Sequence, residues 1–414
     1  TKGDETKGDE TEGDETKGDE TKGDENKGGN GSGDNNGGNN GGGANNGGNN
    51  GGNNGGNNGG NNGGGANNGG GNSGGGANNG GGNSGGGANN GGGNKGGGTC
   101  SGAQAPAKGS VKDPGLTGPF TVAKKKASMP LGGGGFFGGS INMDINIPAG
   151  TGPFPVVIVL HGFQLGPKDY ASYGTHLASW GYVTVVPQLD AGNLLQPKTH
   201  VELAKQVKGL MDWLQSKTNA QGTLQNKADF NQILLSGHSL GGKLSVLVAA
   251  SDKRVKAVVA IDPVDGSPGP GAGVSAGNPS VTPELMPNVT VPMVLVGETT
   301  NGKSSNPLFP ACAPANENFE QFFAHTVSPS LQVNIKGASH MSFLDNPSCG
   351  FACLACPAGS DNPAQTRMRT QRLMVAFAKV YLQGECDYLS WLTGADAKAD
   401  ESAGAITIAT KNGF

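Results

Sequence analysis

Val156–Leu160 reads VVIVL, five apolar residues in a row with no position left for a water-facing side chain. Successive side chains of a strand point to opposite faces, so such a run fits a strand covered on both sides. Related runs follow at Tyr182–Val186, Ile233–Leu235, Val255–Ile261, Val291–Val296 and Leu331–Ile335, with earlier strand-like stretches at Phe120–Ala123 and Ile141–Ile147. Helical patterns lie between them, at Asp169–Trp180, Val201–Leu214, Leu240–Ala250 and Thr366–Leu382. In the second of these Val207, Leu210, Met211 and Leu214 recur at helical spacing, and in the last Leu373, Phe377 and Val380 share one face. Buried strands alternating with amphipathic helices predict an α/β fold, with a mostly parallel central sheet and helices on both faces.

The first hundred residues cannot join that fold. TKGDE repeats over 1–25, with Glu12 replacing one lysine, give way to GGNN, GGGANN and GGGNS repeats over 26–98. Isolated alanines are the only apolar residues there, too little to offset the entropy of ordering the chain. We expect a disordered low-complexity stalk at 1–110, a catalytic domain at 111–394, and a polar tail at 395–414 without an assigned role. The formal net charge of −4 divides into −7 on residues 1–25 and +3 on the remainder. No basic patch results, and no nucleic-acid partner is expected. No run of eighteen apolar residues offers a transmembrane helix. The sequence opens on Thr1, so the lack of a targeting signal decides nothing.

Six cysteines are present, five of them in the last quarter: Cys312, Cys349, Cys353, Cys356 and Cys386. Cys353 and Cys356 have zinc-ligand spacing, with Cys349 and either Cys386 or Cys312 to complete a site. No second C-x-x-C pair exists, so disulfides in an exported protein are the preferred reading. Cys100, alone on the flexible segment, is expected free or processed. Together with the polar stalk, these cysteines point to secretion or the cell surface.

The chemistry centres on Gly237-His238-Ser239-Leu240-Gly241, a G-x-S-x-G between the strand-like QILLS and the helix-like LGGKLSVLVAAS. That context marks the sharp strand-to-helix turn of an α/β-hydrolase fold, with Ser239 as nucleophile. A serine hydroxyl needs a base, and the fold's chain order is serine, acid, histidine. Only His325 and His340 follow Ser239. His340 is preferred, because it lies in a loop just after a strand, whereas His325 ends a helix. Asp262, Asp265 and Glu298 all stand near strand ends as possible acids, and Asp262 is preferred. Asp265 before glycine also reads as a turn residue. The Leu240 amide and the Phe163 amide, the latter in the loop after VVIVL, are the expected oxyanion donors. His161 in that loop is expected to be structural. Gln164, Met341 and Phe343 are expected to line the substrate pocket, and the mechanism calls for no metal or organic cofactor.

Two further motifs are set aside. Gly297–Ser304 fits the phosphate-loop pattern G-x-x-x-x-G-K-[ST], but that loop must open a helix, and Pro307 and Pro310 forbid one. The sequons at Asn30 and Asn288 matter only on a eukaryotic secretory route.

Taken together, HGFQLGPKDYASYGTHLASWGY, SGHSLGGK, AIDPVDG, PACAPANENFEQFF and GASHMSFLD resemble the chlorophyllase family, including bacterial chlorophyllase-like esterases, over about residues 115–385. The surroundings are also similar to cutinase-like and polyester-cleaving hydrolases. The resemblance implies a carboxylic-ester hydrolase working through an acyl-enzyme on an apolar ester. It implies that the catalytic aspartate falls in the IDPV segment, at Asp262, and it brings in the plastid as an alternative location. Plant members usually carry arginine where this chain has Leu240. A monomer acting on a small or polymeric ester is expected. The rival class is a non-catalytic surface binding protein displayed on the stalk.

Overall fold

A computed structural model of the chain describes residues 100, 102–132, 139–192, 196–216, 221–266, 274–305, 308, 310–347 and 356–414. The expected stalk up to residue 99, Cys349, Cys353 and Pro307 lie outside the described residues.

Nine strands among the described residues form one sheet: β1 (Val122–Pro130), β2 (Ser140–Pro148), β3 (Phe154–Leu160), β4 (Val183–Gln188), β5 (Ala228–His238), β6 (Val255–Ile261), β7 (Met293–Gly297), β8 (Ser330–Ile335) and β9 (Ile406–Lys411). Their order is β1-β2-β4-β3-β5-β6-β7-β8-β9. The strands from β4 through β3 to β8 run parallel, while β1, β2 and β9 pair antiparallel at the two ends. The helices are α1 (Ala171–Ser179), α2 (His200–Gln215), α3 (Gln221–Leu224), α4 (Leu240–Ala249), α5 (Phe319–Ala324), α6 (Pro363–Gln383) and α7 (Ala395–Ser402).

Both faces of the central strands are covered, as the VVIVL run requires. Val156, Ile158 and Leu160 enter a core shared with Leu203 and Val207 of α2 and Leu244 of α4. Val157 and Val159 enter the opposite core, with Tyr173 and Leu177 of α1 and Met374 and Phe377 of α6. Strands β5 and β6 alternate in the same way. This is the α/β-hydrolase architecture. The crevice beyond the carboxyl ends of its parallel strands is where such sheets bind ligands.

Three boundaries differ from the sequence reading. Strand β1 starts two residues later and runs to Pro130, because a one-sided edge strand tolerates Lys124, Lys125 and Lys126. Exposed lysines on an edge also discourage strand addition by another chain. The last twenty residues are no tail: α7 precedes β9, which pairs along its whole length with β8. Ile406 is buried there, and Phe414 stacks on Phe377 at 6.3 Å. The folded part also begins before residue 111. Asp396 accepts from Gly109 N at 3.0 Å, and Arg372 grips Asp113 through two bonds of 2.8 Å.

The cysteines divide differently from the C-x-x-C reading. Cys100, expected to be unpaired, is joined to Cys386 across 286 residues, and Cys312 is joined to Cys356. Both bonds consume sulfurs that a zinc site would have needed.

Removing residues 405–414 would uncover the β8 edge and the apolar surface beneath Ile406 and Phe414. We expect the truncated protein to lose several kcal/mol, and its thermal midpoint to fall by more than about 5 °C. Calorimetry of the two forms checks this.

Candidate active site

The bend between β5 and α4 holds Ser239 at φ 56° and ψ −122°, a left-handed backbone that costs a non-glycine residue on the order of 1–3 kcal/mol. The flanking glycines make it possible. A Cβ on Gly237 would overlap the Gly241 backbone, and one on Gly241 would overlap the carbonyls of Leu160 and His161. Strand β3, strand β5 and helix α4 therefore meet with no side chain between them. The Ser239 amide donates to the Ile261 carbonyl at 2.9 Å, fixing the bend to the end of β6.

The next residue is Asp262, fully buried and also left-handed at φ 40°. Its Oδ2 lies 2.6 Å from His340 Nδ1. His340 opens a short 3-10 turn, His340–Phe343, just beyond β8. With aspartate on Nδ1, the imidazole carries its hydrogen there and leaves Nε2 free to accept a proton. Burial pushes the Asp262 carboxyl up, and the His340 contact opposes that shift. Asp262 Oδ1 is buried with no hydrogen-bond partner among the described residues. Among the described residues no hydrogen bond joins the Ser239 hydroxyl to His340. Serine–base contacts are often looser before substrate binds. The ring of His238, next to Ser239 in the chain, lies 4.4 Å from the His340 ring.

The other acids are engaged elsewhere. Asp265 pairs with Lys243 Nζ at 3.0 Å, both nearly inaccessible, and accepts from the Val281 and Thr282 amides. Burial alone would raise the Asp265 carboxyl, but Lys243 and those amides outweigh it and hold it low. Burial lowers the Lys243 ammonium in turn. Asp265 is thus half of a buried ion pair, more than a turn residue. Glu298, at the end of β7, accepts from the Asn301 amide at 2.8 Å and from the Thr300 amide. Burial, then the charge of Asp262, pushes its carboxyl up to about 8. No hydrogen bond or ion pair connects it to His340 among the described residues. The Gly297–Ser304 segment forms this turn, and residues 304 and 305 begin no helix.

The amides of Phe163 and Leu240 have no hydrogen-bond partner among the described residues, so both donors are available. Phe163 is half-buried and Leu240 buried. His161 is structural: Nδ1 donates to the Gly162 carbonyl at 2.8 Å, and Nε2 accepts from the Leu189 amide at 3.0 Å. Burial lowers its basicity. His325 bonds back to the carbonyl of Gln321 in its own helix. Gln164 is exposed, at φ 57°, and borders a cleft of about 1200 Å³ with Lys168, Gln188 and Asp190. That cleft runs beside the oxyanion loop and does not include Ser239. Met341 is almost wholly buried. Phe343 departs from the pocket reading. It has no exposed surface and packs behind the site, its ring 5.8 Å from that of His238.

Sequence reasoning missed three residues. Asn301 Oδ1 accepts from the His340 amide at 2.7 Å, bracing the histidine turn. Tyr170 and His238 form a buried contact of 2.8 Å behind it. Only the x position of G-x-S-x-G hinted at His238.

Known proteins resemble this chain in the same region. The family model described as Chlorophyllase matches residues 139–400. Chlorophyllase-2 of Arabidopsis thaliana is 31% identical over 253 residues, covering 58% of this chain and 76% of that protein. Chlorophyllase-1 of the same plant is 30% identical over 255 residues, with the same coverage of each. Cutinase est1 of Thermobifida alba is 28% identical over 148 residues, 36% of this chain and 46% of that protein. With the sheet, the elbow and these matches in agreement, the chain belongs to the chlorophyllase family of α/β-hydrolase-fold carboxylic-ester hydrolases.

Proposed function

We propose that the protein hydrolyses an apolar carboxylic ester through a covalent acyl-enzyme on Ser239. The observation that carries this reading is the buried Asp262–His340 contact of 2.6 Å beside a serine held in a left-handed bend. His340 Nε2 takes the Ser239 proton as Oγ attacks the ester carbonyl. The Phe163 and Leu240 amides receive the oxyanion, each worth about 3 kcal/mol in the transition state. His340 then protonates the departing alcohol. Water, activated by the same imidazole, releases the acid and restores Ser239. Asp262 keeps the imidazole in the required tautomer and stabilises its charged form.

The apolar character of the substrate is supported by Phe163, Leu240 and Met341 around the elbow. A chlorophyll-type ester is our first choice, in line with the similar proteins named chlorophyllases, and a polyester of the cutin kind is the alternative. Two disulfides support secretion or display at the cell surface, where oxidising conditions preserve them.

Ser239→Ala is expected to abolish labelling by a fluorophosphonate probe and to lower turnover of a short p-nitrophenyl ester by about a millionfold. Retention of full activity would refute the assignment. Asp262→Asn is expected to reduce kcat by on the order of ten thousandfold, against less than about a hundredfold for Glu298→Gln. The reverse ranking would move the acid to β7. Offering chlorophyll and an aliphatic polyester separately, with Ser239→Ala as blank, decides the ester class: phytol release above the blank supports the first choice.

A further inference from the structure

Two fully buried polar side chains near the elbow, Tyr170 and His238, take no part in the mechanism above. Tyr170 ends the 3-10 turn Pro167–Tyr170 that leads into α1, and His238 is the last residue of β5. The Gly162 amide donates to Tyr170 Oη at 3.1 Å. Tyr170 Oη lies 2.8 Å from His238 Nδ1. His238 Nε2 lies 2.9 Å from the carbonyl oxygen of His340.

The direction of every bond in this chain follows from the groups themselves. A carbonyl only accepts, so His238 Nε2 carries a hydrogen. Burial and the neighbouring His340 depress the basicity of His238 well below the ordinary range, so its ring is neutral and Nδ1 is bare. Burial likewise keeps the Tyr170 phenol protonated. The Tyr170 hydroxyl therefore donates to Nδ1, and its oxygen accepts from Gly162. No donor or acceptor along the chain is left over.

Its three attachment points are the three segments the reaction needs. Gly162 precedes Phe163, His238 precedes Ser239, and the final acceptor is the main chain of His340 itself. We infer that Tyr170 and His238 are positioning residues, a buried relay that holds the oxyanion loop and the His340 turn in register about Ser239. This inference rests on the serine-hydrolase reading above. Asn301 holds the His340 amide while His238 holds its carbonyl, so the peptide units flanking that residue are gripped from two sides. Through the relay, any drift of the oxyanion loop relative to the imidazole breaks a bond between buried partners.

Tyr170→Phe tests the relay by deleting one hydroxyl and keeping the ring. Tyr182→Phe is the control, because its equally buried hydroxyl donates to Gln383, on α6. On a short p-nitrophenyl ester, Tyr170→Phe is expected to lower kcat and fluorophosphonate labelling by about tenfold, with KM within about twofold. Tyr182→Phe should melt earlier yet keep the wild-type kcat. Equal kcat and labelling in Tyr170→Phe and wild type would overturn the relay. Nitrogen-15 NMR of the wild type supplies a readout independent of activity, with His238 expected as the neutral Nε2–H tautomer at neutral pH. An Nδ1–H or charged ring would overturn the relay as well. Failure of the wild type itself to label would defeat the serine-hydrolase reading instead, and the NMR tautomer would still decide the relay.

Discussion

At the elbow, three backbones approach more closely than any side chain permits. Gly241 lies against the carbonyls ending β3, and Gly237 against Gly241. This close approach directs α4 back over the sheet and leaves Ser239 partly exposed between the buried His238 and Leu240. The left-handed conformation at Ser239 is a local cost, and the buried apolar residues of β3, β5, β6 and α4 on both faces of the sheet offset it many times over. The same bend leaves the Leu240 amide, the first of α4, without a partner among the described residues. A helix amino terminus favours developing negative charge, so this donor suits an oxyanion before any other group is considered.

The elbow also decides where an acid can work. Because the Ser239 amide binds the Ile261 carbonyl, the residue after β6 is fixed relative to Ser239. A second buried link reinforces the tie. Lys243, four residues past Ser239, pairs with Asp265, three residues past Asp262. Removing one partner of such a pair costs about 3–5 kcal/mol, though the pair adds little over a well-packed apolar substitute. Its contribution here is geometric: it registers the serine helix against the acid loop. Glu298, at the carboxyl end of the neighbouring strand, spends its oxygens on the amides of its own turn, and that turn supplies Asn301 to the His340 main chain. Asp262 thus meets the His340 ring, while the turn held by Glu298 supplies the side chain that meets the His340 main chain.

What the sequence revealed, and what it hid, follows from the range of the interactions. VVIVL announced a strand buried on both faces because an unbroken apolar run is a local signal. The elbow was legible for the same reason, since strand, glycines and helix lie within about twenty residues. Strand β1 was read too short because its three lysines mask an edge strand with one water-facing side. The final β9 was missed because small and polar residues pair as well as apolar ones at a sheet edge, and only β8 makes Ile406 a core residue. Cys100 looked solitary because its partner stands 286 residues away. Phe343 was placed by proximity to His340 in the sequence, but a 3-10 turn sends it into the core. Tyr170 and Asn301 carry no local signature, and His238 only its place in G-x-S-x-G, since their partners come from other loops.

These hidden residues share a property that bears on mechanism. The groups proposed to change charge during turnover, Ser239 and His340, have beside them several groups whose protonation burial or pairing fixes. His161 and His238 are held neutral by burial, Tyr170 stays protonated, and Lys243 is matched by Asp265. Neutral, fully bonded dipoles of this kind need no reorganisation when charge develops nearby, which is where preorganised sites gain over water.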